Sequence, residues 1–326
     1  MSVSHQTTLA KRVSCQGVGV HSGKRSSMSL WPAQTNTGIL FRRSDILEAA
    51  NGPDAQRLAQ ASIPALRANV SETRLCTSVA NSHGAQVATI EHLMAAFYGM
   101  GVDNALVEVD GPEIPIMDGS AGPFIDLIER AGLKRQRNVR RALKITQPLQ
   151  VRSGESVISA EPLGEGTTAA LQLTVSIDFD DPAIGVQQRR FEISASVFQH
   201  EIARARTFGF LEDVRALRRA GFARGGSFAN AVVVDNGQVL NKSGLRYADE
   251  FVRHKALDLL GDLYLAGAPI IGRITAVRPS HCVNNRFVAQ LLDRRDAFVE
   301  APAPAAAEGA VSRPEDGYDD AAEAVA

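Results

Sequence analysis

Residues 89–101, TIEHLMAAFYGMG, and residues 251–267, FVRHKALDLLGDLYLAG, are two apolar helix patterns that carry ionisable side chains. Each ends in glycine and precedes an apolar strand pattern. When the two final glycines are set against each other, His92 and Asp258 both fall nine residues back. This match predicts a weak internal duplication, with one helix-strand unit in each half of the chain and a metal held where the halves face each other. A chance match is the alternative.

The same stretches contain a candidate metal site. His254 and Asp258 are four residues apart and therefore share one face of a helix. With His92 they form a His, His, Asp set, which suits a catalytic zinc that keeps its fourth position open. Glu91 would be the base. Taken singly, His92 could be an ordinary polar residue, and the His254–Asp258 pair an exposed contact worth about 0.2–0.5 kcal/mol. The apolar setting favours ligands, because buried ionisable groups usually have a partner or a metal.

Composition excludes several classes of protein. The chain has 326 residues, of which 44% are hydrophobic, and a length of about 150 residues per domain predicts two domains. A net charge of -1 gives no excess of positive charge that would indicate binding to nucleic acid. No apolar run reaches about 18 residues, so stable membrane insertion is not expected. The start lacks the apolar segment of a signal peptide, and three widely spaced cysteines favour a reducing cytoplasm.

Strand and helix patterns alternate irregularly, which predicts an α+β fold. Strands are predicted in TGILFRR, ALVEVDG, LQLTVSIDF, AVVVD and RITAV, and helices at 89–100, 121–131 and 249–266, the first two capped by Thr89 and Ser120. A charged stretch at 133–144 suggests a boundary. The predicted domains are therefore 1–138 and 139–298, followed by an Ala/Pro/acidic tail at 299–326 that is expected to be disordered.

Several long blocks occur in an order that identifies a known family. They are GVGVHSGK, RLCTSV, TIEHLMAA, GPEIPIMDGSAGPF, RARTFGF, FVRHKALDLLGDL and HCVNN. Over residues 7–292 the chain resembles the UDP-3-O-acyl-N-acetylglucosamine deacetylase family, the zinc amidases of lipid A biosynthesis in Gram-negative bacteria. The resemblance implies two similar α+β domains, each a sheet layered on helices with small inserts, and one zinc ion between them. Residues 46–62 look longer than the family usually carries and are interpreted as a surface insertion.

The resemblance also implies roles for individual residues. The zinc ligands would be His92, His254 and Asp258. The catalytic groups would be Glu91 as general base, His281 as a protonated imidazole, Asp262 orienting it, and Thr207 as a hydrogen-bond donor to the oxyanion. The substrate-binding residues would be Lys255, Phe208, Phe210, Asp213, Asp178, Phe179, His21, Leu75 and Cys76. Spacing alone would instead make Phe208, Phe210, Leu211, Val214 and Leu217 the core face of a short helix.

Three functional interpretations compete at this point. The preferred one is zinc-dependent hydrolysis of the acetamide of an acylated UDP-N-acetylglucosamine, the committed step of lipid A biosynthesis. A zinc amidase for another N-acetyl sugar and a non-catalytic nucleotide-sugar binder are the alternatives. Iron(II) could replace zinc, since ligand type alone does not select the metal. The small apolar end of the tail, AEAVA, is also an accessible starting point for a protease.

Overall fold

A computed structural model describes residues 3–48, 54–164 and 170–304. The fold is α+β, as predicted. The first half contains β1 (His5–Leu9), β2 (Val13–Val18), β3 (Arg25–Pro32), β4 (Ile39–Arg43), α1 (Ser44–Glu48), α2 (Ala55–Ala61), β5 (Ser62–Pro64), β6 (Val70–Glu72), β7 (Ser78–Ala80), β8 (Gln86–Val87), α3 (Glu91–Met100), β9 (Ala105–Val109), α4 (Gly122–Ala131) and β10 (Leu133–Val139).

The second half contains β11 (Arg141–Ile145), β12 (Leu149–Ser153), β13 (Ser156–Glu161), β14 (Leu171–Asp178), β15 (Val186–Ile193), α5 (Ala195–Val197), β16 (Phe208–Phe210), α6 (Leu211–Arg219), β17 (Val232–Asp235), β18 (Gln238–Val239), α7 (Glu250–Leu263), β19 (Ile270–Val277), α8 (His281–Asp293) and β20 (Phe298–Pro302). Short 3-10 turns lie at Arg67–Asn69 and Tyr264–Ala266, and a π-helical turn at Phe198–Ile202.

The two halves share one strand topology. The first sheet has the order β2-β3-β9-β4-β5, in which only the β9–β4 pair is parallel. In the second half, β12, β13, β19, β14 and β15 follow in the same order, and only β19–β14 is parallel. The short pairings outside these strands also match, because β1 pairs with β10 as β11 pairs with β20. The predicted duplication is therefore confirmed.

Two helices join the halves. Every residue of α3 except Met100 and every residue of α7 except Lys255 is buried, ionisable side chains included, so both helices lie inside the protein. They pack against each other, while α4 packs on α3 and α8 on α7. Gly101 and Gly267 end the two helical segments in left-handed conformations, with φ of 70° and 84°. Glycine suits both positions because it adopts positive φ without strain.

Two helix caps were predicted wrongly. Thr89 lies outside α3 with φ of 60°, and its hydroxyl donates to Glu113 Oε1 at 3.2 Å, so Ile90 occupies the cap position. Ala121 occupies the cap position of α4 in place of Ser120, although Ser120 Oγ accepts a hydrogen bond from Gly122 N–H at 3.2 Å. For Thr89, the distant residue Glu113 binds the side chain that local spacing had assigned to the helix cap.

The charged stretch near the predicted boundary is not a linker. Residues 133–139 form β10 and residues 141–145 form β11, so strand pairing passes from one half to the other at Arg140. The predicted tail also begins too early, because residues 299–302 belong to β20 and pair with β11. Residues 305–326 lie outside the described residues, as do residues 49–53 of the predicted insertion, whose α2 is described. The domain limits themselves stay a prediction.

Gly261 permits the close crossing of α3 and α7. A Cβ atom there would lie 2.1 Å from the carbonyl oxygen of Glu91, which is backbone and cannot rotate away. We expect Gly261→Ala to lower the free energy of unfolding by about 1–3 kcal/mol, the usual cost of overpacking, although alanine favours helix. Unfolding by denaturant measures this change in the free energy of unfolding. Gly111→Ala, whose Cβ would meet nothing within 4 Å, is the control; equal stability of both variants would contradict the expectation.

Candidate active site

The crossing of α3 and α7 brings the three predicted ligands together. His92 Nε2 lies 3.6 Å from Asp258 Oδ1, and His254 Nε2 lies 3.3 Å from the same oxygen. One ligand atom from each residue lies within 4.8 Å of the others, and all three side chains are buried. These residues could hold a metal ion.

The donor atoms fit a tetrahedral ion. Ligand atoms at about 2.0–2.2 Å from one tetrahedral centre are about 3.3–3.6 Å apart, which matches the two distances to Asp258. Asp258 Oδ1 is buried without a hydrogen-bond partner among the described residues, so a cation would satisfy it. His254 Nδ1–H donates to the Ala205 carbonyl at 3.0 Å, which leaves the Nε2 lone pair directed to the ligand cluster.

Burial and charge prepare these groups for a cation. Burial lowers the pKa of His254 to about 4, so its imidazole is neutral, as a metal ligand must be. Burial alone would raise the pKa of Asp258, but the attraction of nearby positive charge, including that of Lys255, outweighs it and holds the pKa well below its usual range. Lys255 Nζ donates to Asp258 Oδ2 at 3.0 Å. Asp258 is therefore an anion with one oxygen engaged and one available.

Glu91 is the first residue of α3 and lies beside the ligand cluster. Its Oε2 accepts a hydrogen bond from Thr77 N–H at 3.1 Å. Burial raises the pKa of this carboxyl, while the positive charge of a protonated His281 or His92 opposes the rise. A buried carboxylate with a raised pKa is a stronger base than an exposed one, which suits general-base chemistry.

His281 faces Glu91 from the other half of the molecule. It begins α8, and its Nε2 lies 3.9 Å from Glu91 Oε1. Its Nδ1–H donates to Asp262 Oδ2 at 2.8 Å. Burial lowers the pKa of His281, but attraction and hydrogen bonding from Asp262 outweigh burial and raise the pKa to about 9. The site therefore holds a buried carboxyl group beside an imidazole that is protonated at neutral pH.

A cavity of about 1070 Å³ opens onto these groups. Of the predicted residues that do not bind the metal, it is lined by Glu91, His281, Thr207, Lys255, Phe208, Phe210, Asp213, Phe179, His21 and Leu75. Phe208 lies in β16, and Leu211, Val214 and Leu217 of α6 are only half-buried and also line the cavity, so they are not the core face of a helix. The ring centres of Phe208 and Phe179 lie 5.7 Å apart.

Three predicted residues lie outside this lining. Asp262 is fully buried behind His281, a position that suits the orienting role predicted for it. Cys76 is buried next to Ser78. Asp178 is exposed at the end of β14, where it pairs with Arg278 at 2.6 Å. The geometry therefore brings neither Cys76 nor Asp178 to the cavity surface.

The sequence matches one known protein family over most of its length. The model of one protein family, described as UDP-3-O-acyl N-acetylglycosamine deacetylase, matches residues 6–293. The chain belongs to this deacetylase family. Proteins named UDP-3-O-acyl-N-acetylglucosamine deacetylase from a Shewanella species, from Shewanella frigidimarina and from Shewanella oneidensis are 45%, 44% and 44% identical over 295 residues, which cover 90% of this chain and 91% of each relative.

Sequence reasoning missed the supporting residues of this deacetylase-family site. Thr77 contacts the carboxylates of both Glu91 and Asp262, since its N–H donates to Glu91 and its hydroxyl donates to Asp262 Oδ1 at 2.5 Å. Asn284 donates to Asp262 Oδ2 at 2.8 Å. Glu113 accepts from the backbone N–H groups of His21 and Ser22 at 2.8 and 2.9 Å. All three lie within the blocks that carry the family resemblance, which was the one available signal.

Proposed function

We propose that this protein hydrolyses the acetamide of UDP-3-O-acyl-N-acetylglucosamine with one zinc ion per chain, releasing acetate and UDP-3-O-acyl-glucosamine. This is the committed step of lipid A biosynthesis. The observation that carries the proposal is the approach of Glu91 and His281 to 3.9 Å beside the His92, His254 and Asp258 cluster. Amide hydrolysis needs this combination, because one proton must be removed from water and another delivered to the nitrogen.

Each residue of the site then has a defined task. Zinc held by His92, His254 and Asp258 would supply a Lewis acid and lower the pKa of water to about 7. Glu91 takes a proton from the attacking water, and the hydroxyl of Thr207 donates to the developing oxyanion. His281 delivers the Nε2 proton to the departing nitrogen, and Asp262 keeps this imidazole charged and oriented.

The lining of the cavity favours an acylated nucleotide-sugar as the substrate over a simpler N-acetyl sugar. Its wall at β16 and α6 is apolar, with Phe210, Leu211, Val214 and Leu217, and is suited to an acyl chain. Lys255 provides a cation next to this wall, with its Nζ 6.0 Å from the centre of the Phe208 ring. A small N-acetyl sugar would leave the apolar wall without a ligand.

Acetate release tests the proposal directly. Purified protein is analysed for zinc and assayed with UDP-3-O-acyl-N-acetylglucosamine and with the same nucleotide sugar lacking the acyl chain. We expect about one zinc per chain, acetate release from the acylated substrate and a large loss of rate without the acyl chain. Equal rates on both substrates would indicate another N-acetyl sugar amidase, and no release would indicate a binding protein.

The pH dependence of kcat/KM should be bell-shaped. Because the pKa of His281 is about 9, its proton is present at neutral pH and the rate should fall as pH rises through that value. Its contribution to folding stability is likewise complete below about pH 6.5 and lost as pH rises through about 9. His281→Gln should abolish the basic limb. An unchanged basic limb in that variant would assign the titration to another group.

No helix in the described part of the chain is long and apolar enough to cross a membrane. We place the enzyme in the cytoplasm, since Cys15, Cys76 and Cys282 are all free thiols, as a reducing compartment requires. Its small-molecule partner would be the acylated UDP-sugar, and no nucleic-acid partner is expected from its charge.

Removal of residues 305–326 should leave kcat unchanged. The cut falls after Pro304, which bridges Val3, so β20 and its pairing with β11 stay intact. Because the removed segment ends in small apolar residues, it could serve a protease as a starting point, and truncation is then expected to lengthen the cellular half-life. A kinetic comparison and a chase after blocking synthesis measure the two effects. Equal half-lives would contradict the protease hypothesis, and a lower kcat would contradict dispensability.

A further inference from the structure

Residues 205–207 precede β16 and supply two groups to the candidate active site. The carbonyl of Ala205 accepts the Nδ1–H of His254 at 3.0 Å, and Thr207 lines the cavity. Arg206, between them, is not among the lining residues and is buried. The placement of the middle residue therefore sets the placement of both neighbours.

Arg206 is bound to Glu250 by three hydrogen bonds. Its Nε and Nη2 donate to Oε1 and Oε2 of Glu250 at 2.8 and 3.0 Å, and its backbone N–H donates to Oε1 at 2.9 Å. The backbone N–H of Arg246 donates to Glu250 Oε2 at 2.7 Å. A two-pronged guanidinium–carboxylate pair fixes relative orientation as well as distance. The carboxylate of Glu250 is fully buried, and its polar contacts are satisfied within the protein.

These contacts close a ring around His254. Glu250 is the first residue of α7, and His254 follows one helical turn later. His254 is hydrogen-bonded to Ala205, Ala205 is joined covalently to Arg206, and Arg206 returns to Glu250. We propose that Arg206 and Glu250 are positioning residues that hold the Ala205 carbonyl and Thr207 against α7 and so orient His254 for the metal.

A purely stabilising role explains these contacts less well. Buried ion pairs are weak stabilisers, because desolvation offsets most of their attraction. Groups that orient a metal ligand, by contrast, typically change metal affinity or activity by roughly 10- to 100-fold. The positioning role rests on the proposed zinc-dependent deacetylation. The positioning role extends the proposed site by Arg206 and Glu250, which contact neither substrate nor metal.

Arg206→Lys tests the positioning role, since lysine keeps the positive charge but cannot make the two parallel hydrogen bonds of the guanidinium group. Arg140→Lys is a matched control, because Arg140 Nε binds Asp103 Oδ1 at 2.7 Å in a largely buried pair that does not line the cavity. The measurements are Tm, zinc Kd by competition with a chelator, and kcat and KM at saturating zinc. We expect similar changes in Tm for both variants. Only Arg206→Lys should weaken zinc binding, by roughly 10- to 100-fold.

The kinetic constants separate orientation from substrate binding. In Arg206→Lys we expect kcat at saturating zinc to fall at least roughly 10-fold, because Thr207 is displaced, while KM changes little. Zinc Kd and kcat that shift no more than in Arg140→Lys would overturn the positioning role. Should Arg206→Lys fail to fold, Glu250→Gln, which keeps the size of the side chain and one acceptor oxygen, replaces it with the same criteria. A wild-type protein without zinc or acetate release would instead overturn the proposed function itself.

Discussion

Glu91→Ala should keep its zinc and turn over roughly 100- to 10,000-fold more slowly than the wild type, the usual contribution of a positioned general base. Glu91 is not part of the His92, His254 and Asp258 cluster, so its removal leaves every proposed ligand in place. It faces His281 at 3.9 Å, and the alanine variant keeps the acid without the base. Steady-state kinetics and metal analysis of the same preparation measure both quantities.

Glu91→Gln is the matched control for this prediction. Its amide oxygen can still accept the hydrogen bond from Thr77 N–H, so the local geometry is kept while the proton acceptor is lost. We expect the glutamine variant to be as slow as the alanine variant. If either variant lost zinc as readily as a ligand variant, Glu91 would be a metal ligand and the proposed division of roles would be wrong.

His254→Ala should lose the metal and, with it, measurable turnover. The side chain supplies one of three donor atoms, and outer contacts of metal ligands alone change affinity by roughly 10- to 100-fold, so loss of a ligand should exceed that range. Zinc Kd by competition with a chelator measures the effect. His83→Ala removes an exposed histidine and is the control. Zinc binding of wild-type strength in His254→Ala would remove this residue from the ligand set.

The cluster of proposed ligands could be anticipated from the sequence because helical spacing and a match between two segments relate its members. His254 and Asp258 share a face by their spacing, and the paired glycines at 101 and 267 related His92 to Asp258 before any contact was known. The same comparison predicted one helix-strand unit in each half, and these features depend on local chain geometry, which a sequence displays directly. The shared order of the other strands depends on long-range pairing and was visible only in the structure.

Other features depend on contacts between distant segments. Thr77 reaches Asp262 across 185 residues, from a short non-helical segment that has no periodic pattern. Residues 299–302 were misassigned for a related reason, since VEAP was included in the predicted Ala/Pro/acidic tail but pairs with β11. Its role is visible only by comparison with β10, its counterpart in the first half. Partner strands decide such segments, and composition does not reveal partners.

The unequal division of the site between the two halves would make a bound metal ion a cross-link. One half contributes His92 and Glu91, whereas the other contributes His254, Asp258 and His281. Neither half contains all three proposed ligands, so strong zinc binding would require the docked pair. Free zinc at about 100 times its Kd would then add about 2.7 kcal/mol to the docked state by mass action. Zinc supply would thus add to the packing of α3 and α7 that holds the halves together, as well as decide whether the enzyme is active.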